Sequence, residues 1–106
     1  MVKGIEVKNI FSNIPDSLPN ELIEQLVISK DCKIERIISK GHATPKGKWY
    51  NQDKDEFALV LKGSAELKFE KSLVKMKEGD YIIIPAHAKH RVEKTDKETI
   101  WLTVFY

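Results

Sequence analysis

The chain has 106 residues, of which 42% are apolar and 32% charged; this describes one globular domain and excludes both a two-domain protein and wholesale disorder. Eighteen basic and sixteen acidic residues leave a net charge of +2, and runs such as Asp53-Lys54-Asp55-Glu56 interleave the signs, so no basic stripe for nucleic acid is present. No apolar run approaches the ~20 residues of a membrane helix, the first residues lack the apolar core of a secretory signal, and the single Cys32 has no disulfide partner; a cytoplasmic location is expected, with no membrane partner.

Residues 1–20 are punctuated by Asn13, Pro15, Asp16, Pro19 and Asn20 and read as turn and loop, with Gly4–Phe11 compatible with an edge strand. Glu21–Ile28 supports two readings. Leu22, Ile23, Leu26 and Val27 fit a helical stripe that Asn20 can cap, while the Ile, Leu and Val content before the turn at Ser29–Asp31 fits a strand.

From Lys33 the signal is β. Lys33–Lys40 carries Ile34, Ile37 and Ile38, and Phe57–Leu61 is continuously apolar, as in a strand buried on both faces. Ala65, Leu67 and Phe69 alternate with Glu66, Lys68 and Glu70, and Val74 and Met76 alternate with lysines. Tyr81–Ile84, Lys89–Lys94 and Thr99–Phe105 follow, with turns at Lys62-Gly63, Lys71-Ser72, Glu78-Gly79-Asp80 and Thr95-Asp96-Lys97. Many short strands at regular spacing predict a sandwich or closed barrel.

Two spacings carry chemistry. Tyr50-Asn51-Gln52-Asp53-Lys54-Asp55-Glu56 is followed by Gly63, and Gly79-Asp80 leads through Pro85 and His87 to His90. Pro85 cannot donate to a ladder, so the chain leaves the sheet there and the histidines lie at a rim. Tyr50, Gln52, Glu56, Ala58 and Val60 share one face of an extended chain. A glutamate on that inward face is costly unless it is paired or bound to a cation, so Glu56 requires a partner.

These two segments resemble the two motifs of the cupin superfamily, and the wider pattern Trp49-Tyr50-x-Gln52, Asp55-Glu56, Ile84-Pro85-Ala86-His87 and His90-Arg91-Val92 looks like a subgroup of uncharacterised single-domain bacterial cupins. The resemblance covers about residues 33–105. It implies an all-β, cupin-type (jelly-roll) β-barrel over residues 1–106, with an N-terminal strand or loop arm at 1–32 and a barrel core at 33–106. It also makes Glu21–Ile28 a strand and implies a homodimer.

Cupins generally hold one divalent metal on four motif side chains, and the resemblance gives Glu56 and His90 two of those positions. The two others fall on Tyr50 and Gln52, where the family has histidines. A neutral amide oxygen and a protonated phenol are poor ligands beside imidazole. His42 is a candidate to supply a missing imidazole, giving Gln52, Glu56, His90 and His42 as a set suited to zinc, iron, nickel or manganese. His87 is expected at the rim. The implied function is a metal-dependent small-molecule enzyme of dioxygenase, isomerase or lyase type, with Tyr50 exchanging a proton and Trp49 and Tyr50 lining the pocket. The alternative is a non-catalytic module in which the barrel mouth binds a small polar ligand.

Overall fold

Alternation of apolar and polar residues makes a strand bury one face and wet the other, and eight such strands account for nearly all the regular structure of the chain. A computed structural model describes residues 4–106, and no helix occurs among them. The strands are β1 (Leu22–Ile28), β2 (Lys33–Ser39), β3 (Glu56–Lys62), β4 (Ser64–Phe69), β5 (Leu73–Lys77), β6 (Tyr81–Ile84), β7 (His90–Thr95) and β8 (Thr99–Phe105). They form a five-stranded sheet in the order β1-β2-β8-β3-β6 and a three-stranded sheet in the order β5-β4-β7. All pairings are antiparallel, and the architecture is the jelly-roll type that the sequence predicts. No helix among the described residues is long and apolar enough to cross a membrane.

Ala58, Val60 and Ile84 from the larger sheet meet Ala65, Leu67 and Met76 from the smaller one, and Trp101 of β8 completes this core. The core fills one part of the space between the sheets, leaving the rest for the site. The chain changes sheet at Gly63, the single residue between β3 and β4. Its φ is +80°, and a Cβ there would lie 2.4 Å from the Glu98 carbonyl oxygen, so only glycine fits.

Two expectations are corrected, for Gly4–Phe11 and for β3, and the two readings of Glu21–Ile28 are resolved in favour of the strand. Gly4–Phe11 is not a strand: it is an irregular arm, closed by a turn in which Asn9 accepts from the backbone N–H of Ser12. It is tied to the outer face of the larger sheet by buried Arg36, which donates to the carbonyl oxygens of Ile10 and Ser12 while pairing with Glu24. The helical stripe in Glu21–Ile28 is overridden because Leu22–Ile28 pairs with Lys33–Ile38, gaining ladder hydrogen bonds that a β-bulge between Gln25 and Val27 interrupts. Finally, β3 is fully buried on one face only. Ala58 and Val60 are inside, whereas Phe57 is half-buried and stacks on Tyr81 with ring centroids 5.1 Å apart.

Candidate functional site

The inner faces of β2, β8 and β3 carry Lys33, Glu35 and Ile37, then Trp101, Thr103 and Phe105, then Glu56 and Ala58, in register across the sheet. Opposite them β7 supplies His90 and Val92, and β4 supplies Leu67. These walls enclose a cavity of about 610 Å³ that Tyr50, Gln52 and Lys54 also line. That is the size of a small-molecule site.

The irregular segment before β3 is strapped to the segment before β7. Tyr50 and His90 exchange both backbone hydrogen bonds, His87 donates its N–H to the Gln52 carbonyl, and Ala86 donates to the Asp55 carboxylate at 2.8 Å. Residues forty positions apart therefore converge, and this is how Tyr50, Gln52, Glu56 and His90 come to face one space.

Glu56 and His90 are 7% and 4% exposed. His90 Nδ1 is 2.9 Å from the Ala88 carbonyl oxygen, which can only accept, so this nitrogen carries the hydrogen and Nε2 presents its lone pair in the neutral ring. Nε2 faces Glu56 Oε1 at 3.7 Å, too long for a hydrogen bond. The Gln52 amide donates to the same Oε1 at 3.0 Å; reversing the amide would set two oxygens against each other. Burial raises the Glu56 pKa above the ordinary carboxylate value; the Gln52 hydrogen bond and His90 oppose that rise, and the Glu35 carboxylate adds to it. Tyr50 also has a raised pKa, first from burial and then from the Glu21 carboxylate near its hydroxyl, so its phenol stays protonated at neutral pH.

The structure brings together Tyr50, Gln52, Glu56 and His90 but not His42 or Trp49. His42 accepts the Lys40 N–H on Nδ1 at 2.9 Å and sets Nε2 3.1 Å from the Leu18 carbonyl oxygen. Both ring nitrogens are used to fasten the arm, and His42 does not line the cavity. Trp49 precedes Tyr50 on an extended stretch, so when Tyr50 faces the cavity Trp49 points to solvent, where it is exposed. His87 is an exposed rim residue with φ +67° whose Nδ1 is 3.2 Å from the Asn51 Oδ1.

The donor set can be tested against a divalent ion. The tautomer of His90 suits a ligand, with its far nitrogen held by a carbonyl. Glu56 is the one other strong donor in reach, its Oε1 is already occupied by an amide N–H, and no group of three His, Cys, Asp or Glu side chains suited to a metal occurs among the described residues. Two strong ligands and a neutral amide do not fit a tightly held resident ion. Sequence reading missed Glu35 and Thr103, both buried on the cavity wall. The available signal was parity, since Glu35 shares a strand face with Ile37, and Thr103 shares one with Trp101.

A curated relative, an uncharacterized protein of Aquifex aeolicus (strain VF5), is 31% identical over 102 residues, covering 82% of this chain and 84% of that protein. A crystal structure from Ralstonia eutropha JMP134, of a protein provisionally named a mannose-6-phosphate isomerase, is 40% identical with a TM-score of 0.90, over 95% of this chain and 97% of that one. A cupin superfamily protein of Desulfitobacterium hafniense DCB-2 is 19% identical with a TM-score of 0.75, over 87% and 82%, and supports the fold alone. The cupin domain family model matches residues 37–105, from the middle of β2 to the end of β8 and across both motif segments, so this chain belongs to the cupin family.

Proposed function

We propose that this cupin is a small-molecule enzyme of the isomerase type, moving a proton on a polar carbonyl compound held in the barrel cavity. The observation that carries the reading is the buried Glu56 carboxyl, raised in pKa and set 3.7 Å from the lone-pair nitrogen of His90. A carboxylate pushed toward neutrality is a better base, and a pair kept out of direct hydrogen bonding leaves room for a substrate proton. The provisional isomerase name of the 40% identical structure supports the same reaction class.

In this reading Glu56 removes the proton from the carbon beside the substrate carbonyl, with Gln52 holding its Oε1 in place. His90 Nε2 takes the proton of the neighbouring hydroxyl, and its Nδ1–H bond to Ala88 keeps the ring in that tautomer. The protonated Tyr50 hydroxyl donates to the oxygen on which negative charge develops. Glu56 and His90 then return their protons to the former carbonyl carbon and oxygen, so the shift is atom-balanced. The metal-dependent form of the idea would set an ion on Glu56 and His90 to polarise the carbonyl; the donor set does not fit that group, and no step depends on it.

Neutral aldoses and ketoses and their phosphate esters, incubated with the protein in D₂O, provide the test by proton NMR. Deuterium should enter beside the carbonyl of at least one of them, and Glu56→Gln should slow exchange by about 100-fold or more. Thermal stabilisation by a ligand that shows no exchange would instead support the second reading, a binding module, which the mutually satisfied Gln52 and Glu56 pair favours. A cytoplasmic homodimer is part of the proposal. The edge strand β1 leaves Ile23, Leu26, Val27 and Ile28 exposed for a second copy to cover, and light scattering reads the mass directly.

A further inference from the structure

We propose that Glu35 and Thr103 form a second polar subsite on the cavity wall, which binds the hydroxyl groups of a neutral, unphosphorylated polyhydroxy molecule. The subsite shares a cavity with the proton-transfer pair and so deepens that reading, but it rests on separate residues.

Glu35 and Thr103 face each other across the β2–β8 pairing, and Thr103 also pairs with Ala58 of β3. Both line the cavity, and they are 6% and 1% exposed. The Thr103 hydroxyl has no hydrogen-bond partner among the described residues, although it is fully buried. A buried hydroxyl without a partner is costly relative to a satisfied one, so it is kept where a ligand supplies the partner. The basic group that pairs with Glu35 is Lys33, whose Nζ is 3.6 Å away and beyond hydrogen-bond range. Among the described residues the Glu35 carboxylate oxygens accept no hydrogen bond, so they are open to external donors. An apolar ligand would leave both groups unsatisfied. A molecule bearing several hydroxyls satisfies both, because each hydroxyl donates to the carboxylate or exchanges a hydrogen bond with the threonine.

The position fits a molecule that also reaches the proton-transfer pair. Glu56 pairs with Phe105, two residues along β8 from Thr103, and such diagonal neighbours lie ~7–8 Å apart, roughly the length of a pentose or hexose. The Glu35 charge raises the pKa of Glu56, which places both carboxyls in one electrostatic environment.

Charge excludes the phosphate ester. The cavity lining holds Glu21, Glu35, Asp53 and Glu56 against Lys33 and Lys54. Lys33 stands 3.6 Å from Glu35 as a loose ion pair and lies over the Phe105 ring, 4.6 Å from its centroid. The lining carries no arginine to bind a phosphate bidentately, and a dianion would enter a net acidic enclosure.

Calorimetric titration of the intact protein with neutral aldoses, ketoses and alditols, each beside its phosphate ester, decides the matter. The neutral compound should bind at least tenfold more tightly than its ester. Thr103→Val, which keeps the side-chain shape, should weaken that binding about fivefold or more and leave the ligand-free melting temperature unchanged or raised, while Thr103→Ser restores affinity. Equal or tighter binding of the esters, undiminished binding by Thr103→Val, or no binding by any compound at tens of millimolar overturns the proposal. Glu56→Gln separates the two readings: it should abolish exchange and leave the threonine-dependent binding in place.

Discussion

His90 and Glu56 are set so that Nε2 of the one lies 3.7 Å from Oε1 of the other, with the ring fixed by Ala88 and the carboxyl by Gln52. The carboxyl is raised in pKa first by burial, so its charged form is disfavoured in the folded protein. The folded protein then binds more protons than the unfolded chain between the ordinary glutamate pKa and the raised one. Stability from this group is full below the unfolded value and falls as pH rises through the folded one. Urea midpoints measured from about pH 4 to 8 should therefore show Glu56→Gln gaining on the parent protein as pH increases, with the difference levelling off above the folded pKa.

Glu35 pushes the Glu56 pKa up and Lys33 pulls it down. Glu35→Gln should move the acid limb of the rate profile, or the Glu56 carboxyl NMR titration, to lower pH. Lys33→Met should move it to higher pH. Shifts in the reverse directions would show that neither charge reaches Glu56.

The metal question has a constructive test. The parent protein, purified without an affinity tag, should carry substoichiometric zinc, iron, nickel or manganese by elemental analysis, and these ions should shift its melting temperature little. Replacing both neutral donors, Tyr50→His with Gln52→His, adds two imidazoles to the cavity beside Glu56 and His90. Divalent-ion affinity should rise by at least about 100-fold, because imidazole replaces a phenol and an amide.

Gly63 holds the corner between β3 and β4 at φ +80° with the Glu98 carbonyl against it. Gly63→Ala combines a left-handed alanine, about 1–2 kcal/mol, with an overpacked contact to backbone, about 1–3 kcal/mol. A loss of roughly 2–5 kcal/mol by urea denaturation is expected. Gly41, which has open space about its Cβ position, should lose far less on the same change.

Arg36 is buried, paired with Glu24, and donates to the Ile10 and Ser12 carbonyls. Arg36→Ala leaves the part-exposed Glu24 carboxylate and two backbone acceptors without their donor. A destabilisation of about 1–3 kcal/mol is expected, set by the lost hydrogen bonds because the remaining carboxylate is screened by solvent. Hydrogen exchange should show the arm opening before the sheets, since the arm alone depends on this anchor.

Much of the barrel was legible because a half-buried strand writes its environment in alternate residues. Ala65, Leu67 and Phe69 against Glu66, Lys68 and Glu70 gave β4 within a residue of its ends, and Pro85 placed the exit from β6 correctly. The nearness of Glu56 and His90 was expected for a different reason, that a carboxylate on an inward face needs a partner; the hydrogen bond to Glu56 comes from Gln52, and His90 stands 3.7 Å away. Gly4–Phe11 misled because alternation in Ile5 and Val7 implies a strand only where a neighbouring edge is in reach, and both side chains instead stand exposed.

The sequence by itself determined most of the strand content, the sheet corner at Gly63, and an inward carboxylate at Glu56 with a histidine on the facing segment. These follow from local sterics and from a two-residue period, which are properties of neighbours in the chain. Only the tertiary structure decided what each inward face meets. It turned His42 to the Leu18 and Lys40 backbone, left Trp49 in solvent, drew Leu22–Ile28 into a sheet against its helical stripe, and placed Glu35 beside Thr103 in the cavity wall. Periodicity records which residues share a face; contacts between strands distant in sequence decide whether that face finds a core, a carbonyl or an open cavity.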